Sequence, residues 1–205
     1  IPKHLECISA KLLEMGVEIE EYDDSMLIRR NGPLSRTNIK TMPYPGFPTD
    51  MQSQMGVLMA TVKGESEIVE RIWKNRFRYT EELTKMGAKI MVDTQNATII
   101  GVEQLTGAVV KATDLRAGAA LVIAGLVAQG VTEVRGVHYI DRGYENLVEK
   151  LKGIVPEATV AAEINKQEAF KVVIDSAKAK KPAAKRTTKK KEAAEDEAAP
   201  AEEKA

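Results

Sequence analysis

The chain repeats itself, and this repeat narrows the possible folds more than any other feature of the sequence. Leu13-Glu14-Met15-Gly16 recurs as Thr84-Lys85-Met86-Gly87 and, more weakly, as Lys150-Leu151-Lys152-Gly153. Thr49-Asp50-Met51 recurs as Thr113-Asp114-Leu115, and Asn75-Arg76-Phe77 as Asp141-Arg142-Gly143. The intervals run from 64 to 71 residues. A unit of that size holds several strands and helices and cannot bury its apolar faces alone. Neighbouring copies must pack on one another, so the expected fold class is α/β, built from repeated strand-helix units.

The pattern within each copy predicts the elements. Leu5, Ile8, Leu12 and Met15 recur at helical spacing after Pro2, and Gly16 suits a helix C-terminus. Alternation predicts strands over Val17 to Glu21 and Met26 to Arg30, with Asn31-Gly32 as a hairpin turn. After the Pro- and Gly-rich loop Met42 to Pro48, Thr49-Asp50-Met51-Gln52 has capping-box spacing: Thr49 to cap a helix, Gln52 to reach back. That helix is expected to run to Gly64, followed by a strand over Glu67 to Ile72 and a helix from about Thr80 to Met86. A hairpin over Lys89 to Ile100 and a small-residue helix from Thr113-Asp114-Leu115-Arg116 to Gln129-Gly130 complete the reading, with His138 in a strand-like stretch.

Composition sets the remaining bounds. Hydrophobic residues make up 43% of the 205 and aromatics 4%, so the core must be aliphatic. Zero net charge gives no global attraction to nucleic acid or membrane. Cys7 is the single cysteine, which rules out an internal disulfide. The longest apolar run, Ala117 to Val127, falls short of the roughly 20 residues that span a bilayer. Ile1-Pro2-Lys3-His4 resembles the opening of a helix inside a domain, so the chain is expected to begin within a longer protein. Residues 1–155 form the expected folded part and 156–176 a connecting segment. Residues 177–205, basic through Lys189-Lys190-Lys191 and then acidic from Glu192, form an expected disordered tail. That basic block is the one feature that could meet nucleic acid, and a solvated tail is the simpler expectation.

Asp50 and Asp114 stand at matching loop-to-helix junctions, with Arg116 two residues after the second. Arg76 and Arg142 stand at matching places before helices. A carboxylate at a helix start is held in its ionised form, and an arginine there can grip a carboxylate or phosphate. An aspartate at a helix start is more often a simple cap and an arginine before a helix more often a surface residue, and the repeat would copy caps as faithfully as functional groups. Two histidines, His4 and His138, and one cysteine make a metal site unexpected. Cys7, mid-helix, fits a structural thiol better than a nucleophile.

Four stretches go further. Tyr44-Pro45-Gly46-Phe47-Pro48-Thr49-Asp50-Met51-Gln52 resembles the "PYPGFPTDMQ" segment of the UDP-N-acetylglucosamine enolpyruvyl transferases. Asn75-Arg76-Phe77 resembles their "ENRF", Ala112 to Ala117 their "ATDLRA", and His138 to Glu145 their "HIDRGYE". The order and separations also match, over about residues 1 to 155. The resemblance implies an inside-out α/β barrel of repeated units, present here in part. It also implies a cytoplasmic cell-wall enzyme without a cofactor. That enzyme moves the enolpyruvyl group of phosphoenolpyruvate to the 3′-hydroxyl of UDP-N-acetylglucosamine in the first committed step of peptidoglycan synthesis. By motif match, Asp50 would accept the hydroxyl proton and bind the sugar, and Arg142 and Arg116 would face phosphoenolpyruvate. Asp114 would stand beside them, Arg76 would bind substrate, and Ile72 would meet the nucleotide through its backbone. Lys74 departs from the family's usual Glu. The family's lysine and acid-bearing loop belong to another domain, the N-terminal partner of this part, so the 205 residues alone are expected to be inactive. Two alternatives stay open: a shikimate-pathway enolpyruvyl transferase, and a non-catalytic binding module derived from the same fold.

Overall fold

The computed structural model describes residues 2–154, 159–161 and 169–174. Two successive units share one order of elements. The first has helix α1 (Glu6–Glu14), the hairpin β1 (Glu18–Glu21) and β2 (Met26–Arg29), strand β3 (Ile39–Lys40), helix α2 (Gln52–Ala60) and strand β4 (Glu65–Val69). The second has α3 (Tyr79–Lys85), the hairpin β5 (Lys89–Asp93) and β6 (Asn96–Ile100), β7 (Val109–Lys111), α4 (Leu115–Val127) and β8 (Gly130–Arg135). Two short helices, α5 (His138–Asp141) and α6 (Leu147–Ile154), and the strands β9 (Thr159–Ala161) and β10 (Ala169–Ile174) follow. The α/β repeat expected from the sequence is therefore present.

The sheets stitch one unit to the next. β3 and β4 run parallel, and β4 pairs antiparallel with β6 of the following hairpin, giving the order β3-β4-β6-β5. The second sheet has the same plan, β7-β8-β10-β9. The first sheet thus takes a parallel pair from the first unit and a hairpin from the second, so a cut between the two units breaks a sheet. The second sheet continues the second unit's parallel pair with the antiparallel strands β10 and β9. α2 and α3 pack on α4. Their buried faces form one core that includes Met15, Met59, Leu83, Met86, Leu121 and Ile140. The expected aliphatic core is realised, with Phe47, Phe77 and Tyr79 as its aromatic members. Among the described residues no helix is long and apolar enough to cross a membrane.

Gly16 and Gly87 close α1 and α3 at φ +94° and +89°, the left-handed conformation that favours glycine after a helix. Four local expectations are overturned. The first hairpin turns at Tyr22–Ser25, where the Tyr22 amide donates to the Ser25 carbonyl at 2.8 Å, and not at Asn31-Gly32. Pro33 follows that pair and has no N–H to donate back to the Arg30 carbonyl, so the hydrogen bond that would close an Asn31-Gly32 turn is missing. β4 stops at Val69, short of Ile72, because the amides of Ile72 and Trp73 turn to the Glu70 side chain. α2 ends at Ala60, short of Gly64. His138 opens helix α5, since Gly136 at φ +77° ends the strand before it. The expected tail, 177–205, lies outside the described residues.

Candidate functional site

Three of the residues singled out in the sequence meet at the start of α2. The Asp50 carboxylate receives Arg76 Nη2 at 2.9 Å on Oδ1 and Arg116 Nη2 at 2.8 Å on Oδ2. Arg116 Nε lies 2.7 Å from Oδ1, so this arginine grips the carboxylate with both prongs of its fork. Arg76 comes from the loop before α3 and Arg116 from the first turn of α4. The cluster therefore joins both units, which explains why no single copy reveals it. Hydrogen bonding to Arg116 is the largest cause holding the Asp50 carboxyl below its ordinary range. Partial burial opposes the shift, and the charges of Arg116 and Arg76 add to it. The same hydrogen bond raises the Arg116 guanidinium above its already high value. The helix start, which sequence reasoning held responsible for keeping Asp50 ionised, is not the main cause.

The expected capping box does not form. Thr49 opens a short 3-10 turn (Thr49–Met51) ahead of α2, and the residue in the capping position is Pro48. The Thr49 hydroxyl donates instead to Glu70 Oε2 at 2.9 Å. The Gln52 amide group is buried with no hydrogen-bond partner among the described residues. The second junction behaves differently. Asp114 caps α4 itself, its Oδ1 accepting from the amides of Arg116 and Ala117 at 2.9 Å each. The cap fixes the first turn of α4 and so sets the root of the Arg116 side chain.

A cleft of about 270 Å³ opens beside the cluster, lined by Asp50, Thr49, Ile72, His4, Cys7 and Tyr44, among others. It unites Ile72 with Asp50, two of the residues singled out in the sequence. It also brings in His4 and Cys7, which sequence reasoning set aside; Cys7 is half-buried. Arg142 is exposed at the C-terminal end of α5 and takes no part in the Asp50 ion pairs. A larger cleft of about 550 Å³ lies between α3 and the β5–β6 hairpin, lined by Phe77, Arg78, Glu81, Ile90 and others, and none of the three ion-paired residues faces it.

Glu70 is a part of this region that sequence reasoning missed. Its side chain is fully buried and accepts four hydrogen bonds. Oε1 takes the Thr41 hydroxyl at 2.7 Å and the amides of Ile72 and Trp73 at 2.8 and 3.1 Å; Oε2 takes Thr49. A glutamate at the end of a strand normally faces water, and nothing in its neighbours marks it as buried. The available signal was the repeat: at the matching place the second unit has Gly136.

Taken together, these groups offer a carboxylate able to accept a hydroxyl proton or hold a hydroxyl, and two guanidinium groups able to exchange that carboxylate for another anion. The family described as EPSP synthase (3-phosphoshikimate 1-carboxyvinyltransferase) matches residues 2–151. A curated relative from Caldanaerobacter subterraneus subsp. tengcongensis, UDP-N-acetylglucosamine 1-carboxyvinyltransferase 3, is 60% identical over 154 residues, which are 75% of this chain and 37% of that protein. UDP-N-acetylglucosamine 1-carboxyvinyltransferase of Desulfofundulus thermocisternus is 60% identical over 152 residues, 74% of this chain and 63% of that protein. The chain thus spans between about a third and two thirds of the length of these relatives. In structure, the enolpyruvyl transferase NikO from Streptomyces tendae aligns with a TM-score of 0.68 at 32% identity, covering 73% of this chain and 35% of that one. EPSP synthase from Acinetobacter baumannii shares the fold at a TM-score of 0.56 and 17% identity, covering 82% of this chain and 38% of that one.

Proposed function

This chain belongs to the EPSP synthase family of carboxyvinyl transferases, and from that premise we propose that its whole protein transfers the enolpyruvyl group of phosphoenolpyruvate to the 3′-hydroxyl of UDP-N-acetylglucosamine, with release of phosphate. The observation that carries the reading is the Asp50 carboxylate between Arg76 and Arg116, on the wall of a cleft shared with Ile72. The identity to relatives named for this transfer supports the choice of acceptor over shikimate phosphate. The reaction would open peptidoglycan synthesis in the cytoplasm.

In this reading the sugar hydroxyl docks on Asp50. With its pKa lowered by Arg116, Asp50 is a weak base in the unliganded site and first serves to position the hydroxyl. Phosphoenolpyruvate brings a phosphate and a carboxylate, both of which suit the Arg116 fork. An anion that draws Arg116 away removes the largest cause of the lowered pKa, so Asp50 becomes more basic as the second substrate arrives. Arg142 is assigned to the same anion by its motif, with Arg76 and Asp114 holding the substrate-binding surface around it. Ile72 is assigned to the nucleotide part.

The test is phosphate release from phosphoenolpyruvate by the purified full-length protein, with UDP-N-acetylglucosamine or shikimate 3-phosphate as acceptor. Release that needs the sugar nucleotide supports the proposal. Release with shikimate 3-phosphate alone would overturn the choice of acceptor, and release with neither would overturn the activity.

A further inference from the structure

We infer that Glu70 is a positioning residue for the cleft: its buried carboxylate fixes the Asp50-bearing turn against the Ile72–Trp73 segment. As a statement about sugar-nucleotide binding, this rests on the proposed function; as a statement about the geometry, it does not. Thr49, adjacent to Asp50, is tied to Oε2, while the amides of Ile72 and Trp73 and the Thr41 hydroxyl are tied to Oε1. Thr41 then accepts from the Arg71 amide at 2.8 Å, extending the lattice. Two stretches, Thr41 to Thr49 and the Ile72–Trp73 segment that follows Glu70 itself, thus converge on one side chain, and Thr49 and Ile72 both line the cleft.

The second unit shows that the backbone does not require this device. There the Ala112 amide donates to the Arg135 carbonyl at 2.8 Å, just as the Thr41 amide donates to the Val69 carbonyl at 2.9 Å. Thr41 therefore matches Ala112, and Glu70 matches Gly136. A side chain at Gly136 would meet the Ala112 carbonyl oxygen at 2.9 Å, so the second unit has no room for a carboxylate. Thr113, the counterpart of Thr49, is left with a buried hydroxyl that has no partner among the described residues. The same strand-to-loop crossing is thus built once around a buried carboxylate and once without it. Burying a carboxylate is costly even when it is fully hydrogen-bonded. Its presence at the Asp50 junction alone points to the site, and not the fold, as what it serves.

The experiment swaps one junction's chemistry for the other's, with the full-length Thr41→Ala/Glu70→Gly variant. Amide hydrogen exchange is read without substrate, and the dissociation constant for UDP-N-acetylglucosamine is read by calorimetry. Trp73, the chain's one tryptophan, adds a fluorescence signal from the same segment. Exchange at Ile72 and Trp73 should quicken and the Trp73 emission shift, while the Ile68 and Leu83 amides keep their protection. The dissociation constant should rise by about tenfold or more, because a loosened cleft wall must be ordered again on binding. Unchanged protection at Ile72 and Trp73 would overturn the inference, as would loosened amides with unchanged affinity. Failure of the variant to fold would also overturn it, because the carboxylate would then serve the backbone. If the parent protein takes up no UDP-N-acetylglucosamine while the two amides still loosen in the variant, the substrate reading falls and the tie made by Glu70 stands.

Discussion

Asp50 and Asp114 occupy the same place in two copies of one unit, yet one carboxylate faces arginines and the other its own helix. The difference begins in the backbone. At Asp114 the chain is extended, φ −159° and ψ 177°, and the helix starts at the next residue, so the side chain can fold back onto two amides. At Asp50 a 3-10 turn precedes the helix, and the carboxylate projects from that turn toward Arg76 and Arg116. Position 52, two residues after Asp50, carries a buried glutamine where the second copy carries Arg116. The first unit thus supplies a carboxylate without its own arginine at that place, and the second supplies an arginine whose aspartate is occupied as a cap. Duplication copied the path of the chain, and the side chains then divided the work. A site formed in this way needs both copies packed together.

The comparison is broken most forcefully at Asp50. In the proposed transfer, Asp50→Asn should lower kcat/KM by about a hundredfold or more, the scale of a lost proton-accepting group. The same change should leave thermal stability nearly untouched, because its ion pairs are open to solvent. An Asp50→Asn protein with parental phosphate-release kinetics would remove Asp50 from the reaction.

The two helices also differ one turn further on, where Gly56 matches Ala120. A Cβ at Gly56 would overlap the Tyr79 hydroxyl, so Gly56→Ala should cost about 1–3 kcal/mol in denaturant unfolding through overpacking. Tyr79→Phe removes the nearest atom of that clash and a buried hydroxyl that has no partner among the described residues. The double variant should therefore recover part of the loss, a coupling expected for side chains in contact. Strictly additive effects would mean that α2 and α3 are not packed in this way.

At the second junction the expected effect is on stability. Asp114→Ala removes the two amide acceptor contacts of α4 and should cost about 1 kcal/mol, read as a lower denaturant midpoint. Asp114→Asn keeps a capping oxygen and should recover most of it. Equal losses in both variants would argue that charge, and not the cap, holds the end of the helix.

The frame of this contrast was legible in the sequence, which read the two junctions as equivalent, and the contrast itself was not, for physical reasons. The unit order, the terminal glycines Gly16 and Gly87, and the residues Asp50, Arg76 and Arg116 all follow from local pattern or motif. The roles of Thr49 and Gln52 did not. Capping-box spacing is a statement about four neighbouring residues, and it yields when a stronger acceptor lies nearby in space. Glu70 is that acceptor, 21 residues away in sequence and buried, and it also ended β4 early by drawing in two amides. Neither its burial nor the handover of Arg116 from its own unit to Asp50 has a local signature, because both depend on how two units dock.

The smallest effect expected is the pH dependence of the Asp50 cluster. Its folded-state pKa is lowered, so the folded form binds its proton later than the unfolded chain does as pH falls. The stabilisation it contributes is fully present above the ordinary aspartate pKa of about 3.9 and is lost as pH falls through the lower folded-state value. More than half of the Asp50 side chain is exposed, at 55%, so solvent screens the interaction and the slope should be shallow. Unfolding midpoints measured from pH 5 downward should decline slightly less steeply in Asp50→Asn than in the parent, and 1 M salt should shrink that gap. An identical decline in both proteins, in low salt, would mean that the two arginines do not hold the carboxylate in solution. The Asp50 and Asp114 junctions would then be less different than their geometry indicates.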